Sequence, residues 1–148
     1  MVETPAAALL AAELAAETDF LSIGTNDLTQ YVLAADRLNP AVAGVYDPFH
    51  PAVLRLMRTV AEAAGRQGVW AGVCGEMAAD PLAAPLFIGM GMAELSMVPA
   101  AIPAVKDAIR RVRKSDAETL LEEALAQASA AEVRDCLARF GRERMSSR

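Results

Sequence analysis

Four short runs of apolar and small residues recur along the chain, at residues 1–3, 20–24, 69–74 and 94–98. Each is too brief and too continuous to be one face of an amphipathic helix, and each reads as a strand. The longer stretches between them repeat apolar positions at three- and four-residue spacing. Thr4-Pro5 supplies an N-cap and a proline at the first helical position, opening a helix over 6–17. Residues 27–35 read as a short helix after a turn. His50-Pro51 opens a long helix to about Arg66, with Val53, Leu54, Leu56, Met57 and Val60 on its apolar side, and Gly68 suits its stop. Asp80-Pro81 opens another, to about Met90. Strands alternating with helices specify βαβ units and a parallel sheet. The absence of polar alternation within the runs suits strands covered on both faces.

After Pro99 the pattern is helical only. Residues 104–112 form one helix. Ser115-Asp116-Ala117-Glu118 and Ser129-Ala130-Ala131-Glu132 have capping-box spacing and open two more, the last stopping near Gly141 with 142–148 frayed. The charge changes at the same place. Residues 1–109 carry 5 basic and 12 acidic side chains, whereas 110–148 carry 9 and 7. The chain therefore divides into an α/β part over 1–113 and C-terminal helices over 114–148.

Composition narrows the class. Of 148 residues, 54% are hydrophobic, enough for a core and too many for a disordered chain. The net charge of −5 argues against a nucleic-acid partner, because phosphate backbones recruit basic stripes. Two cysteines give no disulfide framework, no basic leader opens the chain, and no 18-residue uncharged stretch offers a membrane span. A cytoplasmic protein is expected. A complete (β/α)8 barrel takes ~250 residues, so any barrel pattern here is part of one.

In a parallel α/β sheet, functional side chains gather at the carboxyl ends of the strands. Those ends are Glu3, Thr25-Asn26-Asp27, Cys74-Gly75-Glu76 and Met97-Val98-Pro99. Glu3 and Asp27 could supply the carboxylate pair that magnesium takes alongside substrate phosphate oxygens; equally, Glu3 could be a terminal residue and Asp27 a helix cap. Cys74 reads either as a small core residue or as an acid or nucleophile at the sheet mouth. Arg37 could clamp a phosphate through two parallel hydrogen bonds or be a solvated loop charge. His50 suits a loop or capping role. Cys136, in an alanine-rich helix, suits a core role. Neither a strained-turn serine nor a Walker-type phosphate loop is present.

The segments MVETPAA, FLSIGTNDLTQY, AADR, YDPFHPAVLRL and GVCGEMAADPLAAPLFIGMGMAELSM run in order over roughly residues 1–98. Together they resemble the C-terminal part of the barrel domain of the phosphoenolpyruvate-utilising enzymes. The wording is nearest the phosphoenolpyruvate–protein phosphotransferase (enzyme I) branch; the pyruvate phosphate dikinase and phosphoenolpyruvate synthase branch shares the GTNDLTQ-like and CGE-like elements. The resemblance implies the C-terminal half of a (β/α)8 TIM-type barrel, about four βα units, followed by the helical appendage. It implies Mg2+ held by Glu3 and Asp27, Asn26 and Arg37 on the phosphate of phosphoenolpyruvate, and Cys74 as the thiol that protonates the enolate carbon or deprotonates pyruvate in reverse.

The resemblance also implies what this sequence does not contain. The family's phosphoryl-accepting histidine lies on a separate N-terminal domain, its histidine-containing carrier protein docks elsewhere, and the first barrel half supplies two further arginines. A parent of this kind is expected to be a homodimer. The chain is therefore expected to be a fragment, a truncated product or half of a two-chain assembly, with an interaction module that lacks catalysis as the alternative to a catalytic half-site.

Overall fold

The computed structural model describes residues 1–146, with side chains described through Arg142. Three parallel strands, β1 (Phe20–Gly24), β2 (Trp70–Cys74) and β3 (Glu94–Ser96), form one sheet in the order β1-β2-β3. The α/β expectation with a parallel sheet holds. The expected first strand is reduced to one residue: Val2 bridges Ile23 in parallel, donating its N–H to Ser22 O at 2.7 Å and accepting from Gly24 N–H at 3.0 Å. Pairing cannot extend further because Thr4 already caps a helix, its hydroxyl accepting from Ala7 N–H at 3.2 Å. The β3 run is likewise shorter than 94–98, ending before Pro99, which opens a 3-10 turn at Pro99–Ala101.

The helices are α1 (Pro5–Leu9), α2 (Ala11–Ala16), α3 (Thr25–Leu33), α4 (Pro51–Gln67), α5 (Ala84–Met90), α6 (Ile102–Arg110), α7 (Lys114–Leu125) and α8 (Ala130–Ser146). The single helix expected over 6–17 is broken at Leu10 (φ −97°, ψ 21°) into α1 and α2. The α3 helix starts two residues before the expected Asp27. His50 caps α4 through Nδ1, which accepts Ala52 N–H at 3.2 Å, and Gly68 stops it at φ 74°, both as expected.

Other expected helix ends move as well, and the helix expected over 104–112 lies at Ile102–Arg110. Asp80 does not open a helix: its carboxylate accepts Leu82 N–H at 2.8 Å in a side-chain turn, and α5 begins only at Ala84. Ser115 is not a cap, because α7 starts one residue earlier after the extended Arg113, leaving Ser115 inside the helix. The Ser129 box does form, with Glu132 N–H donating to Ser129 Oγ at 3.3 Å and Ser129 N–H donating to Glu132 Oε2 at 3.1 Å. The α8 helix then runs through Gly141 to Ser146 rather than fraying from 142, since one interior glycine costs only about 1 kcal/mol. Residues 147 and 148 lie outside the described residues.

One sheet face is covered. Leu21 and Ile23 of β1 pair with Ala71 and Val73 of β2, and all four are buried beneath α4, which also packs on α1 and α2. The buried cluster continues without a gap into Leu120, Leu121, Leu125, Val133 and Leu137 of the last two helices. Contact there is close. A Cβ on Gly89 of α5 would lie 2.5 Å from the Ala117 carbonyl oxygen of α7, so glycine permits the approach.

The opposite face is open. The register and the two-residue strand period put Phe20, Ser22 and Gly24 in line with Trp70, Gly72 and Cys74, and Glu94 and Ser96 beyond them. Phe20 and Trp70 stack with ring centroids 4.4 Å apart, and remain 47% and 39% exposed. Among the described residues, no helix is long and apolar enough to cross a membrane.

Candidate active site

The carboxyl ends of Val2, β1 and β2 lie side by side, and the strand-end residues assemble there. Glu3 follows the Val2 bridge, and its half-buried side chain lies over Gly24: a Cβ at that position would stand 2.6 Å from Glu3 Oε1. Gly24 therefore makes the room that the carboxylate occupies. Gly24 leads directly into α3, whose first turn carries Thr25, Asn26 and Asp27. Gly24 is also paired in register with Cys74, so the thiol comes beside that turn from the neighbouring strand.

Side chains lock the two strand ends together. Thr25, fully buried, donates its hydroxyl to the Cys74 carbonyl oxygen at 3.0 Å. The Asn26 Oδ1 accepts Glu76 N–H at 3.2 Å, which leaves the amide NH2 of Asn26 as its remaining donor group. Between these contacts Gly75 adopts φ +113°, where a Cβ would strike Thr25 Oγ1 at 2.5 Å. Both the conformation and the space require glycine there. The Cys74 thiol is half-buried and free, 3.8 Å from Ser22 Oγ and 3.5 Å from the Ile23 carbonyl oxygen that it faces as donor.

Arg37 sits in the exposed segment after α3, its backbone N–H held by Gln30 Oε1 at 3.2 Å. Its guanidinium forms no ion pair among the described residues. It is close enough to act electrostatically on Tyr46, a residue that strand-end reasoning misses. The Tyr46 hydroxyl donates to the Asn26 carbonyl oxygen at 3.2 Å. Burial pushes the Tyr46 phenol above its ordinary range; Arg37 pulls the other way, and the charges of Glu76 and Asp27 add to the rise. Tyr46 thus stands among Asn26, Asp27, Arg37 and Glu76. The available signal was a hydroxyl-bearing aromatic in a long loop between Arg37 and His50.

His50 and Cys136 take no part. His50 is the cap of α4, and Cys136 is buried between α7 and α8 near Glu123 and Arg139, burial raising its thiol pKa. Among the described residues, no three His, Cys, Asp or Glu side chains cluster as a closed metal cage. The oxygen donors that Glu3 and Asp27 would offer a cation there are two carboxylates. That set suits a hard cation that fills its shell with substrate oxygens and water, and does not suit structural zinc.

Residues 1–114 match the family model described as the PEP-binding domain of PEP-utilising enzymes. Over 97% of its length the chain is 46% identical to the phosphoenolpyruvate-protein phosphotransferase of Listeria monocytogenes, covering 25% of that protein. It is 48% identical to that of Haemophilus influenzae over 95% of the chain and 24% of the relative, and 46% identical to that of Bacillus subtilis over 90% and 23%. The chain thus spans about a quarter of the length of the curated relatives it matches. This chain belongs to the PEP-utilising enzymes, its residues 1–114 matching the family's PEP-binding domain.

Proposed function

We propose that this chain is the phosphoenolpyruvate-binding catalytic portion of a phosphoenolpyruvate–protein phosphotransferase. The observation that carries the reading is the register pairing of Gly24 with Cys74, which sets the Asn26–Asp27 turn and the thiol on one rim with Glu3 beside them. Glu3 and Asp27 would hold Mg2+, which supplies the positive charge that lets a phosphate trianion approach an acidic rim. Asn26 directs its amide donors to the phosphate, and Arg37 offers paired donors to the same group. As the phosphoryl group leaves for a histidine acceptor, the bridging P–O bond breaks and its electrons pass into the enolate. Cys74 then gives its proton to the terminal carbon, forming pyruvate, and the thiolate is reprotonated from solvent.

In this reading the open face bearing Phe20, Trp70, Ser22 and Gly72 is the inner wall of a (β/α)8 barrel. The chain supplies four of its strand positions over 1–113, with the helices of 114–148 as an appendage. The acceptor histidine, the carrier protein that receives the phosphoryl group, and a homodimeric, cytoplasmic parent follow from the same reading. The test is magnesium-dependent exchange of pyruvate methyl protons with solvent, with the remaining barrel segment of a relative supplied in trans. Cys74→Ala is expected to lower the exchange rate at least about a hundredfold. Undiminished exchange in that variant would remove the thiol from the mechanism.

A further inference from the structure

The loop over 34–50 is longer than the ~12–15 residues at which a connection without secondary structure is expected to be functional or mobile. Two of its residues are held from opposite sides. Tyr46 reaches forward to the Asn26 carbonyl oxygen at 3.2 Å. Its neighbour Asp47 reaches back to α8, where Arg134 meets it with a two-pronged pair: Nε to Oδ2 at 3.1 Å and Nη2 to Oδ1 at 2.9 Å. The same guanidinium lies over the ring of the buried Phe49, 4.2 Å from its centroid, and Phe49 N–H donates to Asp47 Oδ1 at 2.9 Å. The fork geometry and the stacked ring leave this arginine little freedom. Its helix is itself fixed, with Val133 and Leu137 in the common core.

A continuous line of contacts therefore runs from α8 through the loop to the peptide that joins Asn26 to Asp27. Arg134 lies beyond residue 114, where the family match ends. We infer that Arg134, Asp47 and Tyr46 form a strut through which helix α8 fixes the Asn26–Asp27 peptide, and that they are positioning residues for the phosphate site. The inference rests on the functional reading above for its ligand, but not for its mechanics. The strut touches no substrate. It sets the direction of the Asn26 amide and the place of Asp27, and it limits how far the Arg37 segment can swing.

The test uses the full chain as wild type, Tyr46→Phe, Arg134→Ala and Arg134→Lys, with two readouts. Hydrogen exchange of the first-turn amides of α3 is expected to quicken about fivefold in Tyr46→Phe, the loss of one ordinary hydrogen bond, and to quicken as well in Arg134→Ala, which loses both prongs on Asp47 and the contact with Phe49. Calorimetric titration with phosphoenolpyruvate and magnesium, with the remaining barrel segment of a relative supplied in trans, is expected to show affinity weakened by a similar factor, at a melting temperature near that of the wild type for Tyr46→Phe. Arg134→Lys is expected to recover only part of the loss, because it keeps the charge without the fork. Unchanged exchange in both variants overturns the strut. Faster exchange with unchanged affinity overturns the positioning role, leaving a stabilising contact. If the wild type binds no phosphoenolpyruvate while exchange responds as expected, the functional reading fails and takes the positioning role with it; the exchange arm separates that failure from the first.

Discussion

At the scale of single residues, the rim is built by what glycine leaves out. Gly24 makes room for the Glu3 carboxylate, and Gly75 turns the chain at φ +113° so that Thr25 and Asn26 can bond across to the next strand. Tyr46 closes the same rim and carries a titration of its own. The folded protein favours its neutral phenol, so its pKa lies above the ordinary 10.0. Above about pH 10 the unfolded chain releases this proton first, and stability falls as pH rises from there through the folded-state value. Urea midpoints measured at about pH 9 and about pH 11 are expected to drop further for wild type than for Tyr46→Phe, which lacks the group. That Glu3, Asp27 and Cys74 stand at or just after strand ends is legible in the sequence, because a strand end is a local feature. The position of Tyr46 is not, since it depends on a loop folding back over α3, and no periodicity encodes that contact.

At the scale of elements, local chemistry forecast the helices where it had no competitor. Proline at the first position and His50 before it start α4, and Gly68 ends it. Competition explains the misses. Asp80 spends its carboxylate on a turn, and the helix register after Arg113 swallows Ser115. The two serine boxes, alike in sequence, therefore predict different energetics. Ser129→Ala removes a cap and is expected to cost about 1 kcal/mol, whereas Ser115→Ala is expected to fall within about 0.5 kcal/mol of wild type. Chemical denaturation of the two variants side by side checks this. The truncated first strand has a similar cause: the Thr4 cap takes over after a single bridged residue.

At the scale of the whole molecule, composition and sequence motif divide the chain near residue 113, yet its buried core does not. The α7 and α8 helices contribute Leu120, Leu121, Val133 and Leu137 to the cluster that underlies the sheet. Removing them would uncover α5 and part of α4, the helix packed on β1 and β2, so these last helices belong to the common core. The sheet's other face is where the molecule is unfinished in its packing, and there the stacked Phe20–Trp70 pair stays partly in water. Trp70 is the only tryptophan in the sequence. Its fluorescence is therefore an uncontaminated optical gauge of that surface. Emission from this chain alone is expected at the long-wavelength, water-exposed end of the indole range. A shift to shorter wavelength on adding the complementary barrel segment would report closure over the ring in real time, with no label attached.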